Sequence, residues 1–191
     1  MEKCKIAIIV GVDEVGRGAL AGPLVAAAVA VRDARRFPIG EVRDSKLLSD
    51  RDRRRLVPLL TQSCEIHYGI VSNRLIDRIG IQAANALAID MALQAFCNGE
   101  YALHSDHVAS FHKLTTLAIS VELHVHGESV VPEIAAASIA AKVFRDDLMI
   151  GLHQEHSGYN FAQHKGYGTA EHRARLRRFG FSPVHRRSFA M

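Results

Sequence analysis

Lys5 to Val12 is an apolar run rich in Ile and Val that ends at Asp13-Glu14, the pattern of a buried strand delivering two carboxylates at its tip. A loop with Gly16-Arg17-Gly18 and Gly22-Pro23 separates it from a second apolar strand, Leu24 to Val31. Ser49 is placed to cap a helix reaching about Leu60, where Pro58 is expected to end or kink it. Glu65 to Val71 alternates as a third strand. From Asn73 to Cys97, apolar positions including Leu75, Ile76, Ile79, Leu87 and Leu93 recur at helical spacing and predict two helices meeting near Gly80, with Asn98-Gly99 as the stop. Tyr101 to Ser105 and Leu117 to Val125 read as two further strands. Pro132 opens an Ala-rich helix, Glu133 to about His153, whose small residues suit close packing on a sheet. Ser157 to Gly168 reads as glycine-rich loop, and Thr169 caps a last helix to Arg178. Strands adjacent early in the chain, followed by strands separated by helices, predict an α/β domain with a mixed sheet covered by helices.

Composition narrows this picture without redirecting it. The chain has 191 residues, 48% of them hydrophobic and 23% charged, as in ordinary globular domains, and neither disorder nor a collagen-like repeat fits. We expect a single domain over residues 1–191. The longest apolar stretch, Lys5 to Val31, is interrupted by Asp13, Glu14 and Arg17, so no membrane span is expected; with no signal-like core either, a cytoplasmic location is. Cys4, Cys64 and Cys97 include no C-x-x-C pair and read as reduced, partly buried thiols. Neither G-x-G-x-x-G nor the P-loop pattern occurs, which leaves nucleotide binding without support.

Charge is distributed unevenly. Residues 164–191 hold seven basic residues against one acid, a net of +6, so a total of +4 leaves −2 for residues 1–163. The basic end suits a polyanionic partner or, equally, a solvated helix face. Arg51 to Arg55 read as a solvated helix start. The Asp13-Glu14 doublet is a surface turn or a site for a hard divalent cation, which takes carboxylate oxygens and compensates charge in a low-dielectric setting. Most of the 11 histidines read as surface or loop residues; His164 and His172 either contact phosphate or make structural hydrogen bonds.

Five separated blocks, in order, carry a resemblance. Val12-Asp13-Glu14-Val15-Gly16-Arg17-Gly18 with Ala21-Gly22-Pro23, then Asp44-Ser45-Lys46-Leu47-Leu48-Ser49, then Pro132 to Val143 with Arg145-Asp146, then Gln163-His164-Lys165-Gly166-Tyr167-Gly168-Thr169 with His172, and finally His185-Arg186-Arg187-Ser188-Phe189 together resemble the ribonuclease HII family, the type 2 ribonucleases H of bacteria. The resemblance implies an RNase H-like fold with a mixed five-stranded sheet, the basic segment 164–191 packing on it. It implies four metal-binding and catalytic carboxylates: Asp13 and Glu14 directly, Asp106 one residue late at the end of the fourth strand, and Glu128 where the family usually has Asp. Two divalent ions, Mg²⁺ or Mn²⁺, are implied as cofactors, activating water and holding the leaving 3′-oxygen. Gly16, Arg17, Gly18 and Tyr167 are implied to read the 2′-hydroxyl at an RNA-to-DNA junction. Tyr167 would stack on the adjoining deoxyribose. Lys46, His164 and Lys165 are placed on the substrate backbone. The implied activity is hydrolysis of the RNA strand of RNA–DNA hybrids and incision 5′ to ribonucleotides embedded in duplex DNA, by a monomer; the alternative is a hybrid-binding protein with weak or lost catalysis.

Overall fold

The computed structural model describes residues 8–42, 47–96, 101–105, 120–123 and 131–189. Expectations for Cys4, Lys46, Cys97, Asp106 and Glu128, and for the outer parts of the first and fifth strands, fall outside these. The strands are β1 (Ile8–Val15), β2 (Leu24–Val31), β3 (Cys64–Val71), β4 (Tyr101–Ser105) and β5 (Ser120–Leu123), and they form one sheet in the order β3-β2-β1-β4-β5. β2 is antiparallel to both β1 and β3, whereas β4 is parallel to β1 and β5 parallel to β4. The sheet is therefore mixed, and β1, β4 and β5 all present their carboxyl ends at one edge.

Period-two alternation divides the core. Val25, Ala27 and Val29 face one layer, while Leu24, Ala26, Ala28 and Ala30 face the other. The first layer holds α1 (Ile39–Val42), α2 (Asp50–Ser63) and the long α5 (Pro132–Glu155); the second holds α3 (Asn73–Ile79) and α4 (Ile81–Leu93). Gly11 allows α5 to approach the sheet, for a Cβ there would stand 2.1 Å from the Glu133 carbonyl carbon. The Ala-rich face of α5, including Ala136, Ala137 and Ala140, completes that contact.

Several boundaries differ from the sequence expectation, each for a physical reason. β1 continues through Asp13 and Glu14, which pair with Ala27 and Ala26, because backbone pairing extends beyond the run of large apolar side chains. Pro58 does not end α2: it lies on the exposed side of a helix whose Leu56 and Leu60 are buried, and packing holds the helix to Ser63. The segment expected as loop from Ser157 contains a 3₁₀ turn, Ser157–Tyr159, and a single helical turn, α6 (Phe161–His164). Ser49 and Thr169 cap α2 and α7 (Ala170–Phe179) as expected, accepting from the Asp52 and His172 amides at 3.2 Å each. No helix among the described residues is long and apolar enough to cross a membrane.

Candidate active site

β1, the central strand, carries Asp13 and Glu14 near its carboxyl end. Alternation puts Asp13 on the α5 side with Gly11 and turns Glu14 toward the α3–α4 side. The Glu14 amide donates to Asp13 Oδ1 at 2.8 Å, and Arg17 Nη1 donates to Glu14 Oε1 at 3.2 Å. The Glu14 side chain is only 10% exposed. Two adjacent carboxylates, little hydrated and with oxygen as the only donor type, fit a hard divalent cation and not zinc. Among the described residues no group of three His, Cys, Asp or Glu is clustered to hold a metal ion; the further carboxylates expected at Asp106 and Glu128 lie outside them.

Beyond β1 the chain turns through Gly16-Arg17-Gly18, and two distant segments hold this loop in place. Ala19 bridges Tyr167 and Ala21 bridges His185, so residues 19–22 lie between the 166–167 turn and the chain's last described segment. The Leu20 amide donates to Gly166 O at 2.8 Å, and the Arg186 amide donates to Leu20 O at 2.8 Å. Arg145 of α5, with no exposed surface, donates to the carbonyls of Pro23 (2.9 Å), Lys165 (2.9 Å) and Ala21 (3.2 Å). Arg186, equally buried, donates to the carbonyls of Gly22 and Arg17, each at 3.0 Å. Burial lowers both guanidinium pKa values, and Arg186, additionally beside Arg145, is pushed down to about 9, still charged at neutral pH. These guanidiniums use carbonyl oxygens in place of water, which is how a buried charge is tolerated.

Gly16 is required from the inside. Its φ is +96°, and a Cβ would stand 2.2 Å from Arg145 Nε. Gly18 differs, since it is exposed and a Cβ would meet nothing within 4 Å, so its bareness serves the outer surface. Tyr167 is half-buried beside this loop, with Arg145 5.2 Å and the Lys142 ammonium 5.9 Å from its ring centre. Lys142 is itself ion-paired with Asp146 at 2.7 Å. Arg17, exposed Gly18 and half-buried Tyr167 thus lie close together next to Asp13 and Glu14, with buried Gly16 shaping the turn between them.

The other expected residues are placed differently. His164 is 7% exposed, and both ring nitrogens are engaged by backbone, Nε2 with Tyr159 O at 2.8 Å and Nδ1 with the Gly166 amide at 3.2 Å. Its environment is therefore internal and leaves no ring N–H for phosphate. Lys165 adopts a left-handed conformation, φ +52°, and turns its ammonium to Ala162 O. His172 and His185 are buried as well: His164 and His172 thus make the structural hydrogen bonds given as their alternative, while His185 differs from the surface reading of most histidines. On α7, Arg173 and Arg175 are tied to Gly168 O and Glu171, while Arg177 and Arg178 are exposed.

Arg145 and Arg186 are the important residues that sequence reasoning passed over. Arg145 did carry a signal: it continues the stripe Ala137-Ala141, which leads on to Met149 and is otherwise buried and apolar, so it was spaced for the interior.

The sheet order and its carboxylate-bearing central strand define a ribonuclease H type of hydrolase, and known proteins agree. The fold superposes on the ribonuclease HII of Archaeoglobus fulgidus, solved as a PCNA:RNase HII complex, with a TM-score of 0.82 and 25% identity over 96% of each chain. Residues 10–191 match the family model for ribonuclease HII, and the chain belongs to that family. It is 42% identical to the ribonuclease HII of Lactobacillus gasseri over 97% of this chain and 72% of that protein. It is 41% identical to that of an Azoarcus species over 97% of this chain and 88% of that one. Its activity is that of an endonuclease acting on RNA strands.

Proposed function

We propose that this ribonuclease hydrolyses the RNA strand of RNA–DNA hybrids and cuts on the 5′ side of ribonucleotides embedded in duplex DNA, leaving 5′-phosphate and 3′-hydroxyl ends. The observation that carries this reading is the shared surface of Gly16-Arg17-Gly18 and Tyr167 beside Asp13 and Glu14. A junction reader and a pair of carboxylates within one loop of each other suit selection of a phosphodiester by its neighbouring sugar. The 2′-hydroxyl alone distinguishes the two sugars, and exposed Gly18 leaves room for a backbone to approach. Arg17, partly exposed and paired with Glu14, supplies a donor next to the carboxylates.

Asp13, Glu14, Asp106 and Glu128 are assigned as holders of two divalent cations, Mg²⁺ or Mn²⁺. Such ions, when bound, activate water and stabilise charge on the scissile phosphate. The topology supports the assignment: Ser105, the residue before Asp106, pairs with Val12, the residue before Asp13, and β1, β4 and β5 end on the same edge. α5 begins four residues after Glu128 with its first turn against Gly11. Asp13 and Asp106 are assigned as ligands shared by both ions. Glu14 also keeps Arg17 oriented, and Lys142 with exposed Arg177 and Arg178 provides positive charge for the duplex backbone. Lys46 is retained as a phosphate contact; Lys165 acts through the turn it shapes.

The test is cleavage of a duplex containing one ribonucleotide, with Mg²⁺ or Mn²⁺ added. Wild type should cut 5′ to the ribonucleotide, and Asp13→Asn should lose turnover by about a thousandfold or more while binding within a few-fold of wild type. Equal inertness of both, with binding retained, would support hybrid binding without catalysis and overturn the reading. Asp106→Asn should abolish activity and Glu122→Gln should not; the reverse pattern would refute the placement of the third ligand.

A further inference from the structure

Three histidines lie behind Tyr167, and their hydrogen-bond partners fix where each proton sits. The Ser182 amide donates to His185 Nδ1 at 3.0 Å, so that nitrogen carries no proton and accepts. The Ser182 hydroxyl, 2.7 Å from the same nitrogen, donates to it also. The proton of His185 is then on Nε2, which faces His172 Nε2 at 3.0 Å. His172 must accept there, which leaves its own proton on Nδ1, 2.9 Å from the Tyr167 carbonyl. A second chain runs alongside: the Gly166 amide donates to His164 Nδ1, and His164 Nε2 donates to Tyr159 O. The His164 and His172 rings stack at 4.2 Å and 14°.

We propose that His185 and His172 form a one-way relay of neutral imidazoles that orients the Tyr167 turn, making His172 a positioning residue for recognition of the ribonucleotide site. The inference rests on the assignment of Tyr167 to the substrate sugar. Geometry gives the relay its direction. With either ring doubly protonated, two N–H groups would point at each other across the Nε2 pair or into the Ser182 amide. The surroundings also disfavour charge: Phe161 meets His164, His172 and His185 at 5.5 to 5.9 Å, and Tyr159 meets His185 at 4.8 Å. The charged and titratable groups facing the cluster are Glu171, Arg173 and Arg175 of α7 and His156 at the end of α5. Burial lowers the pKa of all three histidines, so the neutral forms hold at neutral pH. The relay ends on the residue between Gly166, whose carbonyl receives the Leu20 amide, and Gly168, so a shift in His172 moves the reader and not the carboxylates.

Two measurements test this. Nitrogen-15 spectra of histidine-labelled protein at pH 7 should show His172 protonated only at Nδ1, and His185 and His164 only at Nε2; a charged ring or the opposite tautomer at His172 overturns the relay. Selectivity, measured as kcat/KM for a single-ribonucleotide duplex divided by kcat/KM for a continuous hybrid, should fall roughly 5- to 10-fold in His172→Leu, as loss of one hydrogen bond implies. The fall should appear in KM more than in kcat. His172→Asn, whose amide nitrogen takes the place of Nδ1, should restore selectivity to within about 2-fold. If Tyr167→Phe or Tyr167→Ala changes site selection while both His172 variants select as wild type does, positioning by His172 is refuted and the function stands. If wild type cuts neither duplex, the proposed function fails, and the tautomers still decide whether the relay exists. Should His172→Leu not fold, the Asn variant and the spectra carry the test.

Discussion

His185 shows how a single residue couples the site to acidity. It is 1% exposed, and burial first, then neighbouring His172, pushes its pKa from 6.5 down to about 4. The unfolded chain therefore binds a proton in this interval that the folded chain does not, and stability present above pH 6.5 is lost as the pH falls toward 4. The difference amounts to on the order of 3 kcal/mol. Urea midpoints should drop between pH 6.5 and 4.5, and His185→Gln should flatten that dependence; an undiminished slope would assign the acid sensitivity to other groups. At this scale Asp13 and Glu14 were legible in the sequence because they abut an apolar strand. The histidines were not: His164 lies in a single helical turn and His185 in a loop, neither long enough to show a period, the polar α7 offers only Leu176 beside His172 as a buried position, and partners such as Ser182 or Tyr159 are known only once the segments fold together.

At the scale of elements, α5 on β1 is the contact that sets the site's geometry. Its N-terminal turn lies on Gly11, and its Arg145 reaches the Gly16 loop, so one rigid helix spans both ends of the carboxylate region. Gly11→Ala would drive a methyl group into the Glu133–Ile134 backbone, where no side chain can yield. We expect about 3 kcal/mol of destabilisation and a fall in Tm of roughly 6–12 °C by calorimetry; a change under 2 °C would mean that α5 shifts without strain. The element order was readable from the pattern because Ile/Val runs and helical spacing are local. Ends were less so: the ladder of β1 extends through Asp13 and Glu14 because β2 supplies Ala27 and Ala26 opposite them, and Pro58 sits inside α2 because it faces solvent. Arg145 was hidden by the habit of arginine on helices to reach water.

At the scale of the whole molecule, basic charge is concentrated in residues 164–191, which also carry Tyr167 of the proposed junction reader. The basic excess of residues 164–191 is only partly free for a ligand: Arg186 is buried, and Arg173 and Arg175 hold neighbouring groups. Arg177 and Arg178 remain outward. Replacing both by Ala should weaken duplex binding alike for substrates with and without a ribonucleotide. It should also reduce the slope of log K against log salt by roughly 1 to 2. Titrations by fluorescence anisotropy at several salt concentrations check this, and an unaltered slope would place the duplex elsewhere.

The reader's support has a further consequence for the order of events during synthesis. Arg17 and Arg186 are 169 residues apart and joined by a hydrogen bond, as are Ala21 and Arg145 across 124. Contacts of such separation form only after nearly the whole chain has left the ribosome. A nascent chain with its early strands already paired holds the first two carboxylates and the Gly16-Arg17-Gly18 turn before Arg145, Tyr167 and Arg186 are there to complete the proposed reader. Discrimination is thus the last property the molecule acquires. Chains cut short before Arg186 would be expected to keep much of the sheet and lose their discernment first.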